Sequence, residues 1–262
     1  MVCDFDFRHR LGLIAWTSVL LIQQNLFAAI PRSLPGVSPA TKNSVNQEKL
    51  ITEALRLPIE NRVQALRSQG DQTANVLKDW AFDRNRSLEI RWRALTALPY
   101  LDSRLGQLAI EMALKSEEWY LRNAATIALP TLDRDYAVNS SARLLSDPAL
   151  VVRTAAVQNL LKLNAREKTE LIWRKINSPE NFRNGESLWV RRHMAQALAE
   201  FSGPGQEDRF IALLKDKDRR LHPFAIQALE RIRGPAPKRE GRTLGQLRKH
   251  WLNWAEQNSQ TL

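Results

Sequence analysis

Apolar and small residues recur between residues 48 and 233 with the three- and four-residue spacing of amphipathic helices. Five segments share one pattern: a basic residue, a small or medium side chain three positions later, and a pair ending in Leu at six and seven positions. They begin at Leu88, Trp119, Leu150, Leu188 and Arg219. These offsets place the small and apolar side chains on one face, where a second helix can approach closely.

The basic position gives the period of this repeat, with spacings of 31, 31, 38 and 31 residues. Its occurrences are Arg91, Arg122, Arg153, Arg191 and His222. The seven extra residues of the third interval, at 181–187, predict a surface loop. Ala65 and Leu66 indicate a degenerate earlier copy, with Ile59 at the basic position.

Shorter amphipathic segments separate the five copies, and no stretch shows the alternation and turn signals of strands. We predict second helices at 105–115, 136–145, 168–176 and 209–214. A pair of helices in about 31 residues cannot bury its apolar face alone, so neighbouring pairs must stack. The predicted fold is therefore all-α, a right-handed α-α solenoid of about six helical pairs.

A last helix is predicted at 243–257, after the sequence GPAPKREG interrupts the array. Its residues Leu244, Leu247, Trp251 and Trp254 form one apolar stripe. We interpret it as a C-terminal cap on the open end of the stack.

The repeat resembles HEAT repeats, in particular the short bacterial kind also seen in phycobilin lyases, over about residues 48–233. That family places a turn Asp six residues before the Arg of a V-R-x-x-A-x-x-A-L helix; Asp147 with Arg153 matches, and Asp216 precedes His222. Asn85 and Ser116 occupy the turn position elsewhere. The resemblance implies a structural ladder that ties adjacent units together. Its members are Arg91, Arg122, Asp147, Arg153, Arg191, Asp216 and His222.

The first 29 residues have the layout of a secretory signal. Two arginines precede a 12-residue apolar run at 11–22, and small residues follow at Ala28-Ala29. A membrane-spanning helix needs about 20 apolar residues. We expect export to the bacterial periplasm or the medium, with an uncleaved N-terminal anchor as the alternative. Cleavage also removes the lone Cys3, which suits an oxidising compartment.

This gives four regions along the chain. Residues 1–29 are the signal peptide or anchor, and residues 30–47, with three prolines, are expected to be a flexible linker. The solenoid occupies 48–233. A basic linker and the capping helix occupy 234–262.

Charge is concentrated near the C-terminus. The chain has 39 basic and 28 acidic side chains, a net charge of +11, and residues 215–250 hold eleven basic against four acidic ones. The basic ones are Lys215, Lys217, Arg219, Arg220, Arg231, Arg233, Lys238, Arg239, Arg242, Arg248 and Lys249. Such a region attracts anionic polymers such as cell-wall polymer, lipid headgroups or nucleic acid, although a merely solubilising surface has the same composition.

Catalytic and metal-binding motifs are missing from the sequence. It contains no HExxH, GxSxG, P-loop or CxxC, and its histidines are not spaced as ligands. We therefore expect no metal, no cofactor and no enzymatic activity. Two enzymatic alternatives remain. Trp189, Arg191 and Arg192 resemble an element of HEAT-like DNA glycosylases, although the aspartate motif of that family has no convincing match. Lyase activity on a bilin is the other, and it rests on the type of repeat alone.

The main functional hypothesis is an exported scaffold or adaptor that binds a protein or peptide in a concave groove. Its contact residues are expected one position after each basic residue, together with one tryptophan. They are Trp92, Asn123, Thr154, Trp189 and Arg192, and Pro223 holds the same position in the last copy. A small-molecule substrate is not expected, and nucleic acid is a less favoured partner.

Overall fold

The computed structural model describes residues 39–236 and 240–258, and it separates the chain into a unit at Met1–Val45 and a unit at Asn46–Leu262. The predictions for residues 1–29 and for residues 30–38 lie outside the described residues. Nearly all of the described residues belong to the second unit.

Thirteen α-helices make up nearly all of the regular structure in the described residues, which confirms the predicted all-α class. They are α1 (Pro39–Arg56), α2 (Ile59–Arg67), α3 (Thr73–Phe82), α4 (Leu88–Leu101), α5 (Ser103–Leu114), α6 (Trp119–Ala128), α7 (Arg134–Leu144), α8 (Leu150–Lys162), α9 (Thr169–Ile176), α10 (Val190–Glu200), α11 (Glu207–Lys215), α12 (His222–Arg233) and α13 (Leu244–Asn258). Short 3-10 turns follow or precede some of them, at Leu129–Thr131, Arg166–Lys168, Pro179–Asn181 and Arg219–Leu221.

The even-numbered helices from α2 to α12 stack on one another in chain order, and an odd-numbered helix precedes each of them. This stack, which we call the arginine layer, consists of α2, α4, α6, α8, α10 and α12, each packed against the one before it. The remaining helices, α3, α5, α7, α9 and α11, pack against members of the arginine layer as a second layer. Parallel stacking brings the N-terminal ends of the arginine-layer helices to one edge.

Local sequence chemistry fixes where several helices begin. The side chains of Ser87, Asp102 and Asp133 accept hydrogen bonds from the backbone N–H three residues later, at 3.3, 2.9 and 3.0 Å. Such caps satisfy amides that have no partner inside the helix. Proline acts differently in two copies: Pro130 sits in the 3-10 turn that ends α6, whereas Pro99 is accommodated inside α4.

Buried apolar side chains form two core clusters that divide at α7. One runs from Ile51 to Ala137 and the other from Val138 to Trp251. Leu144 and Leu163 pack against both clusters, so the apolar seam continues through the division. The alanines of the repeat pattern are almost entirely buried, which explains why small residues are needed where the helices cross.

The C-terminal helix covers the last pair. Helix α13 packs against α11 and α12, and its Leu247 and Trp251 are buried in the second core cluster. Trp254 is half-buried and lies under the Arg233 guanidinium, 5.4 Å from the ring centroid. The expected cap is therefore present, with Trp251 as its main core anchor.

The structure differs from the sequence analysis at two places. Helix α1 begins at Pro39, so residues 39–47 of the expected flexible linker are helical. Proline is well suited to a first helical turn because its missing N–H has no partner there. The insertion at 181–187 contains a two-stranded hairpin, β1 (Phe182–Arg183) and β2 (Glu186–Ser187), whose Asn184-Gly185 turn has positive φ angles of 52° and 78°.

Candidate partner-binding face

Successive helices of the arginine layer are joined by side chains at their N-terminal ends. Arg122 donates from Nε and Nη2 to the Asp147 carboxylate of the next pair, at 2.7 and 2.9 Å. Its Nη1 donates to the backbone carbonyl of Ser116, in the turn of its own pair, at 2.9 Å. The arginine therefore connects two turns, and its pKa is raised first by the hydrogen bond to Asp147.

The same connection recurs two pairs later. Arg191, only 1% exposed, donates from Nη2 to Asp216 at 2.6 Å and from Nε to the carbonyl of Ile176 at 3.0 Å. Burial raises the pKa of Asp216, but the hydrogen bonds from Arg191 and the Asp218 amide, together with the positive charge of Arg191, outweigh burial and hold that pKa below the ordinary value. His222 lies 3.0 Å from the backbone carbonyl of Asp216. Each turn aspartate thus accepts from two successive pairs, through its carboxylate and through its carbonyl.

Where the turn lacks an aspartate, other acceptors replace it. Arg153 donates to the Asp147 carbonyl at 2.7 Å and to the side chain of Asn181 at 3.0 Å. Arg91 donates to the Glu118 carboxylate at 2.8 Å and also contacts the Tyr120 hydroxyl. The ladder is therefore continuous from α4 to α12 although its chemistry varies.

Where the ladder joins α4 to α6, Glu118 and Tyr120 form a polar cluster with Arg91. Burial raises the pKa of Tyr120 to about 12, and the hydrogen bond to Glu118 adds to the rise. Burial raises the pKa of Glu118 as well, but hydrogen bonds from Arg91 and Tyr120 lower it below its usual range. At neutral pH the Glu118 carboxylate is therefore ionised and the Tyr120 hydroxyl is protonated. These are the forms that the hydrogen bonds with Arg91 and with each other require.

The ladder shows that equivalent positions of successive helices lie side by side at one edge. The positions three before and one after each basic residue are four residues apart, so in α4, α6 and α8 both lie on the same strip of the helix. In the last two copies the first of these positions, at Leu188 and Arg219, lies just before α10 and α12. In the five copies, these two positions are occupied by Leu88 and Trp92, Trp119 and Asn123, Leu150 and Thr154, Leu188 and Arg192, and Arg219 and Pro223. We call this surface the N-terminal edge.

The predicted groove contacts do not all reach solvent. Asn123 and Thr154 are 9% and 7% exposed, and their expected role as partner contacts is wrong. Asn123 donates to the Val151 carbonyl of the next helix at 3.2 Å, and Thr154 donates to Leu150 within its own helix at 2.9 Å. Both polar groups are used inside the stack.

The other predicted contacts lie nearer the surface. Arg192 is exposed, and its guanidinium lies 5.9 Å from the Phe224 ring centroid. Trp92 and Trp189 are half-buried, and Trp189 meets the His193 ring edge-on at 6.4 Å. Burial lowers the pKa of His193 and the nearby Arg192 lowers it further, so this side chain is neutral at pH 7.

Sequence reasoning missed three exposed apolar side chains of the arginine layer. Leu88 and Trp119 are each 40% exposed and Tyr100 is 45% exposed. The signal was available, because Leu88 and Trp119 occupy the position three before the basic residue in two consecutive copies. The sequence analysis considered only the residue after the basic one, and Trp189, as contacts, and this position was left without a role.

The basic C-terminal region is partly neutralised by the fold. Arg220, Arg231 and Arg233 pair with Asp218, Glu200 and Glu207 at 2.7–2.9 Å. Arg248 donates to the Leu214 carbonyl at 2.7 Å, and Arg242 is half-buried. Lys215, Lys217, Arg219 and Lys249 are exposed. Lys238 and Arg239 lie outside the described residues.

A shallow cavity of about 320 Å³ lies between α9 and α11. Glu170 and Arg209 form an ion pair of 2.7 Å at its wall, and the Arg209 guanidinium lies 5.6 Å from the ring centroid of Trp173. The charged groups in the wall of the cavity are thus paired with each other. Within the described ranges, no group of three His, Cys, Asp or Glu side chains is placed to hold a metal ion.

The residues that resemble a DNA glycosylase element do not come together as a site. Arg191 uses its donors inside the ladder, and Trp189 packs beside His193.

None of the helices in residues 39–236 and 240–258 has the length and apolar character needed to cross a lipid bilayer.

Comparison with known proteins gives a fold likeness only. No protein-family model matches the chain, and no curated protein matches it. One matching solved structure is the complex of CpcE and CpcF of phycocyanin lyase from Nostoc sp. PCC7120. It is 18% identical, with 78% of this chain and 80% of that chain covered and a TM-score of 0.40. The described structure itself is an all-α stack of repeated helices.

The expectation that the protein is not an enzyme is corrected by this comparison. The matched complex is a lyase, so the absence of a linear catalytic motif is not a sufficient reason to exclude catalysis in helical repeats of this kind. The likeness is too low to assign that activity to this chain.

Proposed function

We propose that the N-terminal edge of the arginine layer is a docking platform for a protein or peptide partner. The observation that carries the proposal is the exposure of Leu88 and Trp119 at equivalent positions of adjacent helices. Large apolar side chains that are exposed together mark an interaction surface, whereas isolated ones need no explanation.

Support comes from the way exposed apolar side chains are distributed. From Asn46 onward, the large apolar residues that the structure shows as exposed are Leu50, Leu57, Ile59, Leu88, Tyr100, Leu108, Met112, Trp119 and Leu244. All but the last precede residue 120. The second half of the stack has the same repeat yet covers its apolar side chains, so their exposure in the first half is not required by the fold.

The ladder beneath this surface makes it rigid. Arg91 is 3% exposed and Arg191 is 1% exposed, and both have their guanidinium groups held by acceptors on two pairs. A preformed surface loses little conformational entropy when a partner binds. The arginines therefore support the platform from below without touching the partner.

Site-specific photo-crosslinking tests the platform. A photoreactive residue at position 119 or 88 should form crosslinked adducts with a partner in cells. Position 112, whose Met112 is 57% exposed on the second layer, provides the matched control. Adducts at 88 and 119 but not at 112 support the proposal.

Serine substitutions complete the test. Leu88→Ser and Trp119→Ser should each reduce recovery of the crosslinked partner, whereas Met112→Ser should not. Equal recovery with all three variants, or adducts only at position 112, contradicts docking at the N-terminal edge.

We also propose that the chain is exported, as residues 1–29 suggest. Deletion of these residues should move the protein to the cytosol, whereas the full chain should fractionate with the envelope or the medium. Identical cytosolic fractionation of both forms contradicts export.

A further inference from the structure

The side chains of the N-terminal edge change character from one end of the stack to the other. At the position three before the basic residue, successive copies of the repeat have Leu88, Trp119, Leu150, Leu188 and Arg219. The first two are large, apolar and 40% exposed, whereas the last is an exposed guanidinium. The edge is therefore apolar at its beginning and cationic at its end.

The cationic end is built by α10 and by the turn between α11 and α12. Arg192, Lys217, Arg219 and Arg220 are all exposed there. Arg220 pairs with Asp218 at 2.8 Å and also donates to the Ser187 carbonyl of the preceding pair at 3.0 Å. These bonds hold its guanidinium at the edge.

Acidic side chains at this end are fewer, and two of them are already engaged. Asp216 accepts from the buried Arg191, and Asp218 accepts from Arg220. Glu186 and Arg183 are exposed neighbours in the hairpin and offset each other. The charge of Arg192, Lys217 and Arg219 is therefore left to face solvent.

At the apolar end, the exposed Arg84 guanidinium lies 3.7 Å from the Glu118 carboxylate and is thus paired. Glu89 is paired with Arg93 at 3.1 Å, and Glu118 is held by Arg91 and Arg84. Trp92 and Tyr120 add partly buried aromatic surface beside Leu88 and Trp119. A ligand that covers the whole edge thus needs apolar groups at one end and negative charge at the other.

We propose that the edge binds an extended polypeptide segment that carries a block of apolar residues next to a block of acidic residues. The apolar block covers Leu88 and Trp119, and the acidic block faces Arg192 and Arg219. This rests on the proposed function and names the partner chemistry of the same surface.

The size of the edge sets the length of the segment. Helices pack about 9 Å apart, so the four steps from α4 to α12 span roughly 36 Å. An extended chain rises about 3.3 Å per residue, which corresponds to about 11 residues. The middle of the segment crosses Leu150 and Leu188, which are half-buried and uncharged.

A nucleic acid fits the edge less well. Its phosphates repeat along the whole strand and favour a cationic surface of matching length. Here the cationic side chains stop at α10, and the two helices at the other end present leucine and tryptophan without unpaired cations.

Fluorescence anisotropy with labelled 11-residue peptides tests the inference. One probe has five apolar residues, including Leu and Phe, followed by a Ser and five Glu; a second has the same composition with the apolar and acidic residues alternating. The block peptide should bind the full chain about tenfold more tightly, because the alternating peptide cannot satisfy both ends at once. Equal affinity for the two peptides overturns the inference.

Charge reversal identifies the acidic contact. Arg192→Glu with Arg219→Glu should weaken the block peptide about tenfold, and a peptide with Lys in place of Glu should regain that loss. The matched control Arg143→Glu with Lys162→Glu changes the net charge equally on exposed residues of α7 and α8 away from the edge. An equal loss with the control, or no rescue by the Lys peptide, overturns the acidic contact.

Two further outcomes separate this inference from the proposed function. Loss of peptide binding with Leu88→Ser and Trp119→Ser, but none with the charge reversal, keeps the docking platform and rejects the acidic block. An 11-nucleotide single strand that competes as well as the block peptide, with steep dependence on salt, rejects the polypeptide in favour of an anionic polymer.

Discussion

The two halves of the stack share one repeat but treat their surfaces differently. Both halves join neighbouring helices in the same two ways. Arginines donate to backbone carbonyls, as Arg93 does to Leu55 and Arg231 to Ala199, both at 2.8 Å. Ion pairs add to these bonds, as Arg91 does with Glu118 at 2.8 Å and Arg191 with Asp216 at 2.6 Å. Exposed apolar side chains accumulate in the first half.

This difference separates what the repeat requires from what is free to vary. Both halves bury the alanines and leucines of the pattern and keep one basic ladder. The outer positions differ, because most of the exposed large apolar side chains lie in the first half and few lie in the second. Exposed residues that packing between repeats does not require are the ones that can differ between copies and bind a partner.

The largest expected effect is the loss of the buried rung in the second half. Arg191→Ala removes donors to Asp216, Ile176 and Asn177 and leaves a carboxylate without its partner. We expect the free energy of unfolding to fall by about 3 kcal/mol, measured by urea denaturation. The exposed neighbour Arg192→Ala is the control and should lose less than about 0.5 kcal/mol. Equal losses for the two variants would show that the bonds between Arg191 and the next pair do not stabilise the stack.

A smaller effect is expected where α4 and α5 cross in the first half. A Cβ on Gly106 would lie 2.5 Å from Pro99 Cα, which is backbone and cannot move aside. Alanine in a helix interior normally gains about 1 kcal/mol over glycine, but overpacking costs about 1–3 kcal/mol. Gly106→Ala should therefore lower stability by about 1–2 kcal/mol in the same assay.

Gly203 provides the control for this substitution, because a Cβ there meets no heavy atom within 4 Å. Gly203→Ala should leave the urea midpoint unchanged or raise it slightly. A stabilising effect of Gly106→Ala would mean that the two helices separate easily, and the first half would then be looser than its core indicates.

Much of the fold can be predicted from the sequence because the same pattern of residues occurs several times. The basic positions, the alanines three residues later and the 31-residue spacing recur, so a single misjudged residue changes little. The helical start at Pro39 and the hairpin at 182–187 are not repeated, and the sequence analysis described both as irregular chain.

The binding surface was less predictable because it depends on the rotation of each helix. Position +1 after the arginine is exposed in one copy, at Arg192, and buried in another, at Thr154. Small changes in packing between copies decide which of two adjacent residues faces solvent. The partners of the turn aspartates also required coordinates, since Asp147 bonds through its carboxylate to the preceding pair and only through its carbonyl to Arg153.

A pH-dependent effect of about 1 kcal/mol is expected at the turn of the last pair. Burial raises the pKa of Asp218, but hydrogen bonds from Arg220 and Ser187 outweigh it and bring the pKa to about 2. A carboxyl whose folded pKa is depressed stabilises the protein above its unfolded pKa, near 3.9, and loses this contribution as the pH falls toward 2. The free energy of unfolding should fall over that interval.

Asp218→Asn tests the assignment, because the amide does not titrate. The variant should be less stable than the wild type at pH 7 and should lose less stability between pH 4 and pH 2. Parallel curves for the two proteins would place the acid sensitivity at other carboxylates, such as Asp216 in the buried rung or Glu118 in the first half.

The smallest expected effect concerns the exposed residues of the first half. Leu88→Ser and Trp119→Ser should each change the free energy of unfolding by about 0.5 kcal/mol or less, since both side chains are 40% exposed. Leu121→Ala, at a residue only 2% exposed on the same helix as Trp119, should cost about 2–3 kcal/mol. Urea denaturation of the three variants measures the contrast. If Trp119→Ser were as costly as Leu121→Ala, the tryptophan would belong to the core. The apolar end of the edge would then serve packing within the protein, and no partner would be needed to explain it. A small effect instead leaves binding as the reason for so large an apolar side chain in contact with water.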